Sequence, residues 1–424
     1  MNAQNRLHPL CVEIYAGASP RFDDIYDAFS EDVPLLRALR ETPQDPEWHA
    51  EGDVHIHSTM TLDALYVELD RLNCDVSAEE RAQLILGSAL HDIAKAITTR
   101  EREIEGRMRI IAPLHAERGR SYLAPLLLAL GLEPRHLLTI VDLVGYHHDP
   151  RRLIYKGKER GDYWRLARLV NLSQLSTLCL ADLKGRITAD TDKLLEDHEL
   201  FELMLDEYTS MLSPGSPEWI EVINEETSGL DAMTQRFVRA QGQRDAEAGI
   251  VTTPHEVISR SFVYRQRFAQ LYIVCGPSGL GKTTWIREQH PDAVVISMDE
   301  VRAELTGSAS NQSENRKVFQ VSFERLKRLL TTSHAIVWDA TSIRKVHRER
   351  LTSLAYQYRA FVRIDVLCAP PHVAFARNRS RERQVSREVI SHQYERWEWP
   401  TADEAHEVGY WFIDERGRWQ LTQS

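Results

Sequence analysis

Through residues 1 to about 212, apolar positions recur at helical spacing almost without interruption. Ser77 and Glu80 form a capping box that opens the run AQLILGSALHDIAKAI, and a second run, WRLARLVNLSQLSTLCLADL, spans 164–183. Strand signals are nearly absent from this half. SPGSP at 213–217 then breaks the pattern, and a mixed polar stretch continues to about 265. Within it, Thr253-Pro254-His255-Glu256 reads as a helix start with proline in the first turn.

From residue 270 the pattern changes. Short apolar runs (LYIVC, AVVISM, AIVWDA, FVRIDVLCA) alternate with helical stretches, which predicts a mainly parallel sheet with crossover helices. YWFI and RWQL flank Asp414-Glu415-Arg416-Gly417, predicting a hairpin added to the sheet edge. At roughly 150 residues per domain, 424 residues imply two or three domains. The expected organisation is an all-α domain over 1–212, a helical connector over 213–265 and an α/β domain over 266–424. No internal repeat or low-complexity tract interrupts it.

Composition changes this picture little. Hydrophobic content of 42% and charged content of 27% suit a globular chain and exclude a disordered, collagen-like or disulfide-scaffold one. No window of about 18 apolar residues predicts a membrane span, and the N-terminus lacks the order of a signal peptide. The five cysteines are scattered and never in a CxxC, which points to a reducing compartment and away from zinc on thiolates. A cytoplasmic protein is the expectation. The net charge of −11 is unevenly spread: residues 266–424 carry 23 Lys+Arg against 19 Asp+Glu, a net of +4, leaving −15 on the rest. Two modules with different partners would produce that split, as would drift along solvated helix faces.

Gly276-Pro277-Ser278-Gly279-Leu280-Gly281-Lys282-Thr283 matches GxxxxGK[ST] between a predicted strand and a predicted helix. In such a loop backbone N–H groups surround phosphate oxygens and the helix N-terminus adds its positive end. Gly276, Ser278, Gly279, Gly281 and Lys282 are the candidate nucleotide contacts, with Thr283 on Mg²⁺ and Thr284 beside it. The fold expected is therefore a P-loop one, with ATP and Mg²⁺ as cofactors. After the second strand, Asp299 either takes the proton of an attacking hydroxyl or caps the next helix, and Arg302 would hold an acceptor phosphate. Asp339, ending the third strand, either supports the Mg²⁺ shell or caps a loop. Arg377, Arg379, Arg381 and Arg383 follow the fourth strand, where arginines can close over a triphosphate. At helical spacing Arg377 shares a face with Arg381 and Arg379 with Arg383, so one pair closes and the other is solvated, Arg377 and Arg381 being the expected lid pair.

The front half supplies His57, His91-Asp92, His115, His147, His148 and Asp182, all in or beside predicted helices. Imidazole and carboxylate together suit a borderline divalent metal such as Mn²⁺, Ni²⁺, Co²⁺, Zn²⁺ or Cu²⁺. Adjacent side chains on a helix point about 100° apart, so His91 and Asp92 converge on one ion only at the end of their helix. Asp182, in an otherwise apolar helix, is expensive to bury unpaired.

The order H…HD…H…H…D resembles the HD phosphohydrolase superfamily over roughly residues 40–190. The stretch Pro43 to Val54 leading to His57 is similar to the HD domain appended to tRNA nucleotidyltransferases. The resemblance implies a metal-dependent phosphohydrolase with His57, His91, Asp92 and Asp182 as core ligands. It also implies His115 and His147 at a second metal, with His148 nearby, His49 structural and Asp92 bridging. Residues 268–400, with their P-loop, Asp-x-x-Arg and arginine-rich lid, resemble the phage-type polynucleotide kinases, which implies Asp299 as general base toward a 5′-hydroxyl. The two modules in this order resemble the bacterial HD-domain polynucleotide kinase-phosphatases, which heal broken RNA ends. That resemblance implies RNA or DNA ends as substrate and an RNA ligase acting downstream. Two rivals stand beside it: a nucleotide phosphohydrolase fused to a small-molecule or nucleoside-type kinase, and an ATP-driven switch with a degraded HD module.

Overall fold

The computed structural model describes residues 7–72, 75–209, 213–265, 267–308, 311, 313–381, 383–414 and 416–422. The chain divides into two compact units, Met1–Met211 and Leu212–Ser424.

The first unit is built on helices α1 (Val54–Leu72), α2 (Ala78–Leu90), α3 (His115–Ala129), α4 (Pro134–Tyr146), α5 (Leu172–Lys184) and α6 (Thr191–Thr209). Ser77 and Glu80 start α2 as expected, each side chain accepting from the other's backbone N–H. From Ala82 to Leu90 every residue of α2 is buried, so this helix runs through the middle of the unit. Around it lie Leu62 and Leu65 of α1, Leu123 and Leu127 of α3, Val141 and Val144 of α4, and Leu175 and Leu178 of α5, all buried. Each such side chain contributes about 2 kcal/mol of apolar burial. In α1, His57, Thr61 and Leu65 share the inward stripe, so a polar residue enters the core by its register alone.

One element departs from the helical expectation. Between α2 and α3, β1 (Arg100–Ile104) pairs antiparallel with β2 (Arg107–Ile111). Glu105 (φ 51°) and Gly106 (φ 75°) form the turn, both with positive φ, which matches the twist of the strands it joins. The first strand, REREI, alternates Arg with Glu and the second, RMRII, has only three apolar residues, too short a run to stand out from the helical pattern around it.

The second unit is an α/β fold around a six-stranded sheet. Its strands are β3 (Gln270–Cys275), β4 (Val294–Ser297), β5 (Ala335–Asp339), β6 (Phe361–Cys368), β7 (Glu407–Ile413) and β8 (Trp419–Thr422). Their order is β4-β5-β3-β6-β7-β8, with β8 alone antiparallel. The next two strands after β3 lie on one side of it and the following three on the other. Such a reversal opens a crevice beyond the strands' C-terminal ends. The stretch 213–265 holds three helices, α7 (Pro217–Glu226), α8 (Ala232–Glu247) and α9 (Pro254–Ser261), and belongs to this unit. Phe237 of α8 lies 5.9 Å from the Phe361 ring and 5.0 Å from His406, and Arg236 pairs with Glu407. Among the described residues no helix is long and apolar enough to cross a membrane. The described cysteines, Cys11, Cys179, Cys275 and Cys368, are free and buried.

Candidate functional sites

In the first unit the ends of the helices bring the histidines together. His91 follows the last residue of α2, His115 opens α3, His147 follows α4, and Asp182 lies in the last turn of α5. His57, from the inward stripe of α1, completes the ring. Its Nε2 lies 2.9 Å from Asp182 Oδ1 and 3.5 Å from Asp92 Oδ2. His91 Nε2 lies 3.2 Å from the same Asp92 oxygen. The other Asp92 oxygen, Oδ1, faces His115 Nε2 at 3.1 Å and His147 Nε2 at 3.9 Å. His148 Nε2 is 2.9 Å from His115 Nε2. Asp92 thus divides two groups of donors, one oxygen toward each.

The tautomers of these rings follow from their outer partners. His91, His115 and His147 each place Nδ1 2.6–2.7 Å from the carbonyl oxygen three residues earlier, on Ser88, Ala112 and Val144. A carbonyl only accepts, so Nδ1 carries the proton and Nε2 presents its lone pair inward. His57 does the same through Glu51, whose Oε1 is 2.9 Å from His57 Nδ1 and 2.8 Å from His49 Nδ1. Burial, reinforced by His91 and His115, pushes His147 down to about 3, so it is neutral at ordinary pH. Burial would raise the Asp92 carboxyl, but His91 and Lys95 outweigh it and hold the group well below its usual value. Imidazole nitrogens converging on the two carboxylates, with His147 neutral and Asp92 ionised, are the kind of donor set a divalent transition ion takes.

Asp182 is not unpaired: Arg186 donates to both of its oxygens, at 3.1 and 3.0 Å. Lys95 Nζ lies 2.7 Å from Asp92 Oδ2 and 2.7 Å from Gln44 Oε1. Sequence reasoning missed Glu51, Lys95 and Arg186. The spacing of Lys95 three residues after Asp92, and of Arg186 four after Asp182, would have flagged two of them. Glu51 lies in a loop, and no local spacing points to it.

In the second unit a cleft of about 850 Å³ opens beyond the ends of β3, β4 and β5. The loop from β3 to α10 (Lys282–Gln289) forms its floor, and Ser278, Gly279, Gly281, Lys282, Thr283 and Thr284 line it. Gly276 stands behind them, its carbonyl 3.0 Å from Lys282 Nζ. Gly279 has φ +87°, and a Cβ there would meet Ala374 O at 2.6 Å, so no larger residue fits without moving backbone. Thr283 Oγ1 donates to Asp339 Oδ2 at 3.1 Å, which places Asp339 beside the hydroxyl expected on Mg²⁺. Burial pushes Lys282 down to about 8 despite the pull of Asp339. Burial also raises Asp339, against Lys282.

Asp299 does not cap α11 (Met298–Thr306); Ser297 does, its hydroxyl accepting from Glu300 N–H. The exposed Asp299 carboxylate pairs with Arg302 and lies 3.8 Å from Arg383. The arginine pairing drawn from helical spacing needs correction. After α12 (Asn315–Thr332) and α13 (Lys345–Gln357), α14 (Pro371–Arg379) ends before Arg381, so Arg377 and Arg381 do not share a helix face. Arg377 donates to Leu280 O at 3.0 Å and Gly417 O at 2.6 Å, bracing the loop against the β7–β8 hairpin. Arg381 and Arg383 line the cleft beside it. A residue the sequence did not suggest, Gln393 on α15 (Arg387–Glu395), accepts from Ser278 N–H at 2.6 Å.

Comparison with known proteins agrees with this division. A family model described as HD domain matches residues 54–184, and one described as AAA domain matches residues 271–400. The chain thus carries a helical HD domain followed by an α/β domain with a mostly parallel sheet, consistent with a P-loop kinase fold. The crystal structure of a gluconokinase from Sinorhizobium meliloti 1021 is similar at 17% identity, over 35% of this chain and 86% of that chain, with a TM-score of 0.27. So slight a likeness bears on neither substrate nor mechanism. No curated protein matches the sequence.

Proposed function

We propose that this chain repairs broken nucleic-acid ends, RNA foremost, phosphorylating 5′-hydroxyls with ATP in the α/β unit and removing terminal 2′- or 3′-phosphates in the helical unit. The observation that carries this reading is the charge of the cleft. Besides Lys282, Arg377, Arg381 and Arg383, it is lined by Arg302, Arg316 and Arg350, against only two carboxylates, Asp299 and Asp339, among the described residues. A triphosphate with Mg²⁺ leaves that many cations unmatched; an acceptor with its own phosphates accounts for them.

In the kinase step Asp299 exchanges Arg302 for the acceptor hydroxyl and takes its proton as the oxygen attacks the γ-phosphorus. The bond from that phosphorus to the β–γ bridging oxygen breaks, and ADP leaves. Lys282 and Arg381 neutralise charge on the transferred group, and Arg302, released from Asp299, holds the acceptor's nearest phosphate. Thr283 and Asp339 would hold Mg²⁺.

In the hydrolytic step His57, His91, Asp92 and Asp182 would hold one divalent ion, and Asp92, His115 and His147 a second. Such ions supply Lewis acidity toward a phosphate. The protein's part is to fix the rings, keep His147 neutral and hold Asp92 ionised between the two groups. Action on a 2′,3′-cyclic phosphate would precede removal of the monoester. The products, a 5′-phosphate and a free hydroxyl, are what a ligase joins.

The test is acceptor length. Phosphorylation of 5′-OH acceptors from a nucleoside 3′-phosphate to a hexanucleotide should rise in kcat/KM. A flat series, or activity on nucleosides alone, would establish the small-molecule reading instead.

A further inference from the structure

We infer that the β1–β2 hairpin is a docking arm that holds the phosphate backbone of a single-stranded nucleic acid running into the helical unit's site. This rests on the end-repair reading above and gives that site the means to tell a polynucleotide from a mononucleotide.

The hairpin's register sorts its charges. Directly opposed residues share a face, so Arg100, Arg102, Ile104, Arg107, Arg109 and Ile111 lie on one side, and Glu101, Glu103, Met108 and Ile110 on the other. One face therefore carries four arginines and no acid. Arg102 is paired directly with Arg109, a juxtaposition that destabilises an isolated hairpin. Arg109 is neutralised: it reaches Asp45 at 3.0 Å and pairs with Glu47. Arg100, Arg102 and Arg107 are exposed, and among the described residues none forms an ion pair or a side-chain hydrogen bond. The glutamates that would neutralise them point the other way. A row of unpaired cations, kept apart from its own acids by strand alternation, fits a linear polyanion.

The arm is rooted in the candidate metal centre. Lys95, which pairs with Asp92, precedes Arg100 by five residues, and His115 follows Ile111 by four. Asp45 grips β2 through Arg109 and also accepts from Ile110 N–H at 3.1 Å, while its neighbour Gln44 holds Lys95. At about 3.3 Å per residue, a five-residue strand reaches about 17 Å from that root, and arginines two apart lie about 7 Å from one another. Trp48, partly exposed, lies under the Arg109 guanidinium at 5.0 Å. An aromatic ring beside a cationic track is the combination that holds single strands without reading sequence.

The test replaces Arg100, Arg102 and Arg107 together by alanine in the full chain and leaves Arg109 in place. Release of phosphate is followed from a 3′-phosphorylated hexanucleotide and from a nucleoside 3′-phosphate, with circular dichroism to confirm the fold. The triple variant should lose at least tenfold in kcat/KM on the hexanucleotide and nothing on the mononucleotide. Its dependence of log(kcat/KM) on log[salt] should be shallower by about 2, three contacts at roughly 0.7 each. Equal activity and equal salt slope on the hexanucleotide would overturn the arm while leaving end repair intact. Equal loss on both substrates would also overturn it, since the arginines would then serve the site's structure. Wild type that hydrolyses only the mononucleotide would overturn the end-repair reading itself, and the arm with it.

Discussion

In the helical unit each ring of the histidine cluster is oriented before anything binds, whereas in the cleft of the α/β unit the charged groups are turned on one another. His57, His91, His115 and His147 are held by Glu51 or by main-chain carbonyls, and their Nε2 atoms face inward. In the cleft Lys282 donates to the carbonyls of Gly276 and Pro277, and Asp299 is spent on Arg302. Burial explains the difference. A buried site is held from behind by protein partners, so the orientation of its rings is fixed by the fold, while the inward Nε2 atoms of His57 and His91 have no hydrogen-bond partner among the described residues. An open cleft can leave its charges paired among themselves and let substrate exchange the partners.

That contrast is broken most severely at a ring nitrogen. His91→Ala should reduce phosphate hydrolysis by more than the roughly 10–100-fold typical of an outer partner, with bound metal lost in elemental analysis and kinase activity unchanged. Glu51→Gln comes next. It keeps the shape but weakens the hold on His57 Nδ1, and should lower metal affinity about 10-fold or more in chelator competition. The kinase should not respond.

The cleft should answer to pH instead. Lys282 stands near 8 when it donates only to carbonyls, and a bound triphosphate must raise it. Below pH 8 the ammonium is already charged, and binding takes up no proton. Above it, binding requires one, so nucleotide affinity should be level from pH 7 to about 8 and then fall by up to about tenfold per unit. Calorimetric titration across pH 7–9.5 would check this, and a flat profile would mean that Lys282 does not meet the phosphates. The smallest effect belongs to Arg377→Ala. Loss of its two carbonyl contacts should destabilise the α/β unit by about 1 kcal/mol and weaken nucleotide binding a few-fold. kcat should change little, which separates a brace from a lid.

Much of both sites was legible because it is written in consecutive residues. The loop 276–283 declares its chemistry by spacing, and His91-Asp92 could meet one ion only at a helix end, which is where α2 stops. The parallel sheet and its terminal hairpin followed from short apolar runs. What escaped was set by the third dimension. Glu51 matters because a loop folds it under α1, and Gln393 because α15 brings it to Ser278 N–H. The β1–β2 hairpin escaped because β1 alternates Arg with Glu and β2 carries only Met108, Ile110 and Ile111, too few apolar positions to set a period. The Arg377–Arg381 pairing failed because the helix that would have aligned them ends at Arg379.

The most direct test uses one RNA oligonucleotide bearing a 5′-hydroxyl and a terminal 2′-phosphate, with ATP, Mg²⁺ and added Mn²⁺ or Ni²⁺. Wild type, Asp299→Ala and Asp92→Ala would be compared at both ends. Wild type should change both ends, Asp299→Ala should spare only the dephosphorylation, and Asp92→Ala should spare only the 5′ phosphorylation. Wild type that leaves both ends untouched while phosphorylating or hydrolysing mononucleotides would contradict the end-repair reading.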